Sequence, residues 1–160
     1  MTIQVGDRLP NVTLYVMGQG GPEAVSTDTL FSGKRVVLFA LPGAFTPTCS
    51  ASHLPGFVVH ADDIYKQGID KIICLSVNDA FVMDAWGKAQ NANDNILMVG
   101  DGNADFSEAV GLSEDRHERG MGIRSKRYAM IIDDGVLKTL NIEAPGKFEV
   151  SSAEHILKQL

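Results

Sequence analysis

The segment from Pro42 to Ser50 concentrates the residues of this sequence that could do chemistry. It reads Pro-Gly-Ala-Phe-Thr-Pro-Thr-Cys-Ser and follows an apolar run that is typical of a buried strand. A cysteine in the first turn of a following helix lies near unpaired backbone N–H groups and the positive end of the helix dipole. Both lower the pKa of a thiol from its ordinary value of about 8.5. We therefore expect Cys49 to be a thiolate and a nucleophile.

The residues around Cys49 favour a shaped catalytic site over a cysteine that only fills space. Pro42 and Pro47 stiffen the loop and shield the sulfur. Thr46, three residues before the cysteine, has a hydroxyl that can both donate and accept a hydrogen bond. The segment also follows the carboxyl end of a predicted strand, where α/β sheets commonly hold their ligands.

This pattern resembles the active site of the peroxiredoxins, Pro-x-x-x-Thr-x-x-Cys, which Pro42, Thr46 and Cys49 match. The longer motifs resemble the type II, or peroxiredoxin-5, subfamily of the AhpC/TSA and redoxin superfamily, and the resemblance covers nearly the whole chain. The further motifs are His53–Phe57, Ser76–Asp79, Phe81–Met83 and Lys126–Tyr128.

The resemblance implies a thioredoxin fold, the reduction of hydrogen peroxide and alkyl hydroperoxides, and often a homodimer. Cys49 would be the peroxidatic cysteine, which attacks a peroxide oxygen and becomes a sulfenic acid. Thr46 would hydrogen-bond the thiolate and the peroxide, Pro42 would wall the pocket, and the backbone N–H of Cys49 would complete the donors. Arg127 would pair with the thiolate and the developing negative charge. Arg124 is the alternative for that role.

The second cysteine, Cys74, lies in a predicted strand where other type II members have their second cysteine. A resolving role would require the two Cα atoms to come within about 7 Å, and therefore local unfolding of that strand. We favour the alternative, a small buried apolar residue. An outside thiol would then reduce the sulfenic acid, either glutathione with glutaredoxin or thioredoxin.

Two other groups of residues invite different chemistry. His53, four residues after Cys49, could form the Cys-His pair of a hydrolase, but no third group is evident to orient the ring, so we predict a surface or dimer-face histidine. Asp101 and its neighbours have the ligand spacing of the first half of a calcium-binding loop. Phe106 and Leu112 replace the required glycine and glutamate, so we predict a polar turn and helix cap. No metal, haem or flavin is expected.

A second class of function shares the first chemical step. A redox-sensing regulatory protein would use oxidation of Cys49 as a signal and pass it to a partner through a mixed disulfide. It would not consume many equivalents of peroxide with any thiol donor, whereas a peroxidase would. Turnover therefore separates the two hypotheses.

The elements that must position these residues alternate along the first two thirds of the chain. Strands are predicted at Arg35–Leu41, Lys71–Val77 and Ile96–Val99, each a nearly continuous apolar run. Helices are predicted at Leu54–Tyr65, with a kink at Pro55, at Phe81–Gln90 and at Asp105–Val110, and a hairpin starts at Val12–Tyr15 and turns at Gly18–Pro22. The order β-α-β-α-β requires right-handed crossovers and a parallel core.

The alternation of predicted strands and helices ends at Arg127. Two apolar runs, Tyr128–Ile132 and Val136–Leu140, flank Asp133-Asp134-Gly135, a strong hairpin signal. A capping box at Ser151–Glu154 opens a final helix that runs to Leu160. A parallel half and an antiparallel half predict a mixed central sheet flanked by helices, with an N-terminal hairpin extension. This is a thioredoxin-like α/β fold in one domain spanning residues 1–160.

The composition excludes some partners. The formal net charge is -6, and the 14 lysines and arginines are scattered along the sequence. We therefore expect no nucleic-acid or membrane partner. The N-terminus lacks a basic region followed by an apolar run, so we expect a cytoplasmic protein.

Overall fold

The computed structural model describes residues 1–160, and its elements follow the predicted alternation through the first two thirds of the chain. The strands are β1 (Thr13–Gly18), β2 (Gly21–Ser26), β3 (Arg35–Ala40), β4 (Lys71–Ser76), β5 (Leu97–Gly100), β6 (Ser113–Asp115), β7 (Ile123–Ser125), β8 (Tyr128–Asp133) and β9 (Val136–Ile142). The helices are α1 (Thr27–Phe31), α2 (Leu54–Lys66), α3 (Ala80–Ala89), α4 (Asp105–Ala109) and α5 (Ala153–Leu157).

Seven strands form one mixed sheet in the order β2-β1-β5-β4-β3-β8-β9. Strands β3, β4 and β5 are parallel, and the other neighbours in the sheet are antiparallel. The predicted parallel core, antiparallel C-terminal hairpin and N-terminal hairpin are all confirmed. This is the thioredoxin-like arrangement that the order of elements predicts.

The central strands are buried on both faces, as their apolar runs predict. Alternate residues of a strand point to opposite faces, so Val37 and Phe39 of β3 join one apolar cluster while Val36 and Leu38 join the other. Helices α2, α3 and α5 cover the first cluster, and α1 and α4 cover the second. None of the helices has the length and apolar character that a membrane span requires.

The C-terminal half follows its turn chemistry closely. Asp134 and Gly135 both have positive φ, 49° and 79°, which a tight two-residue turn between β8 and β9 requires. Helix α5 begins one residue later than predicted: Ser152 is the N-cap and accepts a hydrogen bond from the His155 N–H, and the helix ends at Leu157. The Ser151 hydroxyl does not cap the helix and instead donates a hydrogen bond to the Glu143 carboxylate.

Three local features differ from the sequence-based expectations or refine them. Helix α1 and the small β6–β7 hairpin, joined through a 3-10 turn at His117–Arg119, were not predicted. Pro55 lies in the first turn of α2, where a proline is tolerated, and the irregular turn is a π-helical one at Cys49–His53, before the helix begins. The Asp101 carboxylate accepts hydrogen bonds from the first turn of α4, which confirms the helix cap.

Candidate active site

Cys49 lies where the central strand β3 has ended and a new helix begins. The chain turns helical at Pro47, and the first amide with a helical acceptor is Ser50, whose N–H donates to the Thr46 carbonyl at 2.9 Å. The N–H of Cys49 precedes that amide, so it belongs to the unpaired first turn of the helix. Cys49 is fully buried. The predicted strand-to-helix position is confirmed.

The loop that carries Cys49 is tied to the neighbouring elements. The side-chain oxygen of Asn78, just after β4, accepts a hydrogen bond from the Ala44 N–H at 3.0 Å and another from the Ser76 hydroxyl. On the other side, Arg124 donates to the Pro42 carbonyl at 3.3 Å and to the Met121 carbonyl at 2.8 Å. Contacts from β4 and β7 thus fix the loop in place.

Arg127 contacts the sulfur directly. It immediately precedes β8, whose Tyr128 pairs with Ala40 at the end of β3, and this register brings Arg127 beside the cysteine loop. Its Nη2 lies 3.3 Å from the Cys49 Sγ. Of the two candidate arginines, the geometry therefore places Arg127 on the sulfur, while Arg124 supports the loop.

The prediction that His53 is a surface residue is wrong. The side chain is fully buried, and its Nδ1 accepts a hydrogen bond from Arg127 Nη1 at 2.8 Å. Its Nε2–H donates to the Ser151 carbonyl at 3.0 Å. The π-helical turn carries the ring inward among three phenylalanine rings, whose centroids lie between 4.9 and 5.8 Å away: Phe39, Phe57 and Phe148.

The protonation state of His53 follows from these contacts. Burial, reinforced by the positive charge of Arg127, lowers the pKa of His53 to about 3. A neutral ring has one donor and one acceptor nitrogen, and Ser151 and Arg127 use one each. Neither nitrogen is hydrogen-bonded to Cys49, so the arrangement lacks the Cys-His pair of a hydrolase.

A buried carboxylate fixes the far end of this chain of contacts. Glu143, at the end of β9, accepts hydrogen bonds from three consecutive backbone N–H groups, Glu149 to Ser151, and from the Ser151 hydroxyl, at 2.7–2.9 Å. Burial alone would raise the pKa of Glu143, but these hydrogen bonds outweigh it and lower the pKa. Hydrogen bonds thus connect Glu143 to Ser151, Ser151 to His53, and His53 to Arg127, whose guanidinium contacts the sulfur.

Thr46 lies three residues before Cys49 and is not hydrogen-bonded to its sulfur. Its hydroxyl donates to the Gly43 carbonyl at 2.7 Å, so the expected hydrogen bond to Cys49 is not formed. Donation to Gly43 leaves the lone pairs of the hydroxyl oxygen free to accept. Thr46 and Pro42 both line a pocket of about 440 Å³ that opens beside Arg127.

Comparison with known proteins agrees with this geometry. The redoxin family profile matches residues 4–157. Peroxiredoxin-2E, chloroplastic, of Arabidopsis thaliana is 48% identical over 163 residues, covering 99% of this chain and 70% of that protein. Reduced Prx3 of Vibrio vulnificus in complex with hydrogen peroxide is 56% identical, with a TM-score of 0.95 and 99% of each chain covered. The chain belongs to the redoxin family and, within it, to the type II peroxiredoxins.

A more distant peroxiredoxin has the same fold. Peroxiredoxin 5 from Alvinella pompejana is 32% identical, with a TM-score of 0.86 over 98% of this chain and 96% of that chain. As a peroxiredoxin, the protein is a thiol peroxidase, an oxidoreductase enzyme. The thioredoxin-like fold and the subfamily resemblance seen in the sequence are both confirmed.

The second cysteine of this peroxiredoxin lies in the middle of the sheet. Cys74 of β4 is fully buried, and its register partners are Phe39 on β3 and Met98 on β5. Burial, together with the nearby Cys49, raises the pKa of the Cys74 thiol well above its ordinary value. Both cysteines are free thiols in the structure.

Sequence reasoning missed His53 and Glu143 for different reasons. The partners of His53 are remote in sequence: Ser151 is 98 residues away and Arg127 is 74 residues away. The partners of Glu143 are only six to eight residues away, but three of the four donors are backbone N–H groups, which no residue type marks in a sequence. The one local signal was the spacing of four residues between Cys49 and His53, which indicates a shared helix face. That signal predicts proximity to the cysteine but not the contact with the arginine.

Proposed function

We propose that this peroxiredoxin reduces hydrogen peroxide and alkyl hydroperoxides through Cys49, with Arg127, Thr46 and Pro42 completing the catalytic site. The observation that carries the proposal is the 3.3 Å contact between Arg127 Nη2 and the Cys49 Sγ beside an open pocket. At that distance an always-charged guanidinium can hydrogen-bond the sulfur nucleophile and the negative charge that moves from it during the attack.

In the first step the Cys49 thiolate attacks the terminal oxygen of the hydroperoxide. A sulfur–oxygen bond forms as the oxygen–oxygen bond breaks, and sulfur loses two electrons. Cys49 becomes a sulfenic acid. The other oxygen leaves as an alkoxide or hydroxide and takes up a proton from solvent to give the alcohol or water.

The surrounding groups act on the charge that moves during this step. Negative charge passes from sulfur to the leaving oxygen, and the Arg127 guanidinium, with several N–H donors in one plane, can stay bonded to both. The Thr46 oxygen accepts a hydrogen bond from the peroxide O–H, and the Cys49 N–H donates to a peroxide oxygen. Pro42 walls the pocket and keeps bulk water from the sulfur.

An outside thiol then regenerates Cys49. It condenses with the sulfenic acid to a mixed disulfide and releases water, and a second thiol exchanges with that disulfide to free Cys49. The burial of Cys74 in the middle of β4 supports an external thiol over an internal disulfide. We propose glutathione with glutaredoxin, or thioredoxin, as the source of these thiols.

The test is to treat the reduced protein with one equivalent of hydrogen peroxide, with and without a sulfenic-acid trap, and to read intact mass and the modified residue. We expect a trapped sulfenic acid on Cys49 and an unmodified Cys74. A rapid loss of two hydrogens would instead make Cys74 the resolving cysteine. No reaction at Cys49 would refute the proposal.

Steady-state turnover then identifies the reductant. NADPH consumption is followed with either glutathione, glutathione reductase and glutaredoxin or thioredoxin and its reductase, and the preferred system gives the larger kcat/KM. Many turnovers per Cys49 are expected with one of them. A single equivalent with both would favour the redox-sensing alternative.

We also propose a homodimer. Two large apolar side chains, Phe45 in the loop that carries Cys49 and Phe81 at the start of α3, are 59% and 63% exposed. Phe45 is held there by a backbone with positive φ, 62°, which is uncommon for a residue other than glycine. Light scattering on the wild type and on Phe81→Asp tests this: we expect dimer mass for the first and monomer mass for the second.

A further inference from the structure

We propose that the pocket lined by Pro42, Thr46 and Arg127, the last of which contacts the Cys49 sulfur, recognises a carboxylate on an organic molecule whose reactive end, a hydroperoxide or a thiol, reaches that sulfur. The inference rests on the proposed function of Cys49 and adds the class of ligand. It follows from the volume, the charge and the walls of the pocket, none of which the attack on hydrogen peroxide requires.

The pocket is much larger than hydrogen peroxide. Its volume of about 440 Å³ is within the range of roughly 300–1,000 Å³ that pockets for small organic ligands occupy. A water molecule, similar in size to half a peroxide, takes up about 30 Å³. Most of the space is therefore available to the remainder of a larger molecule.

The pocket has an excess of positive charge in an acidic protein. Five of the chain's 14 lysines and arginines line it, against two of its 20 aspartates and glutamates, although the whole chain has a net charge of -6. The cations are Arg116, Arg119, Lys126, Arg127 and Lys147. This local reversal of sign favours an anionic ligand.

Both acidic groups of the pocket already have partners. Glu114 binds Arg116 through two hydrogen bonds of 2.8 Å, which takes one cation out of the count. Glu143 accepts hydrogen bonds from three N–H groups of its own loop and from the Ser151 hydroxyl. No acidic side chain lies within 4 Å of the charged atoms of the remaining surface cations: Arg119, Lys126 and Lys147.

The position of these cations indicates which part of the ligand they would bind. Arg119, from the β6–β7 hairpin, and Lys147, from the loop after β9, are exposed residues that reach the pocket from two separate segments. Arg127 is the cation that contacts the sulfur. The same pocket is lined by apolar side chains, among them Met121 and Phe148, which suit a short hydrocarbon segment.

Two kinds of molecule share this chemistry: a hydroperoxide with a carboxylate, which would be the substrate, and a thiol with a carboxylate, which would be the reductant. Either reacts as described above, so no new chemical step is needed. The carboxylate contributes binding free energy at the exposed cations in either case. Exposed ion pairs contribute modestly, so two of them correspond to roughly a 3- to 10-fold preference.

The hydroperoxide arm of the test compares a short tertiary alkyl hydroperoxide carrying a free carboxylate with its methyl ester. The single tryptophan, Trp86, donates to the Ser50 hydroxyl beside Cys49 at 3.1 Å, so stopped-flow fluorescence reports the oxidation step. The thiol arm reduces the sulfenic form with 3-mercaptopropionate or its methyl ester. The result of each arm is the rate constant measured with the free acid divided by the rate constant measured with the methyl ester.

The ratios are measured for the wild type, for Arg119→Gln with Lys147→Gln, and for the control Lys138→Gln, an exposed lysine on β9 that does not line the pocket. We expect the double variant to lower the ratio 3- to 10-fold in at least one arm, and the control to keep the wild-type ratio. Raised salt should lower the wild-type ratio in the same arm. The arm that responds identifies substrate or reductant.

Equal ratios in all three proteins, in both arms, would overturn the inference. The reaction of the wild type with hydrogen peroxide separates this failure from that of the proposed function. If Cys49 reacts with hydrogen peroxide but shows no carboxylate preference, only the ligand class is wrong. If Cys49 does not react with hydrogen peroxide, the proposed function itself is wrong.

Discussion

The two cysteines of this peroxiredoxin are equally buried yet lie in opposite chemical environments. Cys49 and Cys74 both have no exposed surface and belong to the same apolar cluster on one face of the sheet. Cys49 is in the unpaired first turn of a helix, with a guanidinium on its sulfur. Cys74 is inside a paired strand, and burial raises the pKa of its thiol.

The difference lies in what surrounds each sulfur and not in the extent of its burial. Removing a thiolate from water is costly, so a buried thiol stays protonated unless a charge or hydrogen-bond donors compensate it. At Cys49 the Arg127 guanidinium lies 3.3 Å from the sulfur, and His53 orients Arg127. No cation or side-chain donor contacts Cys74, whose neighbours on the adjacent strands are Phe39 and Met98.

The largest expected effect separates the two sulfurs directly. Cys49→Ser should reduce peroxide turnover to background, a loss of at least about a thousandfold, because a serine hydroxyl remains protonated and cannot attack. Cys74→Ser should keep kcat/KM within about twofold of the wild type. Coupled NADPH oxidation measures both, and equal losses in the two variants would remove the distinction.

Arg127→Lys tests whether the cation on the sulfur makes the difference. A lysine keeps the charge but loses the planar set of donors, so we expect the rate of Cys49 oxidation to fall about a hundredfold. Stopped-flow oxidation by hydrogen peroxide measures it. The matched control is Arg124→Lys, which alters the loop support and should cost less; a greater loss there would reverse the assignment of the two arginines.

His53→Gln tests the support behind the cation. Glutamine can replace one of the two hydrogen bonds of the ring but not both, so we expect a rate of Cys49 oxidation about tenfold lower than wild type. His53→Ala, which replaces neither, should be slower still. A rate as fast as wild type in both variants would contradict the positioning role.

The same histidine predicts a pH dependence of stability. The pKa of His53 is about 3 in the folded protein and near 6.5 when unfolded, so the unfolded chain binds the proton first as pH falls. The contribution of neutral, buried His53 to the free energy of unfolding is fully present above pH 6.5. It is lost as the pH falls toward 3, at about 1.4 kcal/mol per pH unit. Urea unfolding at pH 7.5 and 5.0 should show this loss in the wild type and a smaller one in His53→Gln.

The smallest expected effect is on Cys74 as a packing residue. Cys74→Ala removes one buried sulfur and should lower the free energy of unfolding by about 1 kcal/mol. An alkylating reagent should modify Cys49 in the native protein at once and Cys74 only after denaturant is added. Rapid modification of Cys74 under native conditions would contradict its inert environment.

The sheet was predictable because its signals are local. The apolar runs of β3 and β4 indicated strands buried on both faces, and Asp134-Gly135 indicated the C-terminal hairpin. The β6–β7 hairpin carries no such signal: its strands are three residues long, and only one of their six residues, Ile123, is apolar. Sequence patterns therefore do not predict it, even though it supplies one wall of the pocket.

The residues of the candidate site also differ in whether local sequence patterns indicate them. Cys49, Thr46 and Pro42 lie within eight residues, and their spacing alone indicates the site. Arg127 could be proposed only through the family resemblance, with Arg124 as its rival, because nothing near it in sequence indicates the cysteine. The pairing of β8 with β3 brings it there.

By itself the sequence determined the order of the strands of the main sheet, the position of Cys49 at a helix start and the family, because each depends on residues close together in the chain. Only the tertiary structure decided that His53 is buried and neutral, that Arg127 rather than Arg124 reaches the sulfur, and that unpaired cations face the pocket. Those properties depend on contacts between segments some 70 to 100 residues apart. Sheet pairing and burial create these contacts, and no local pattern encodes them.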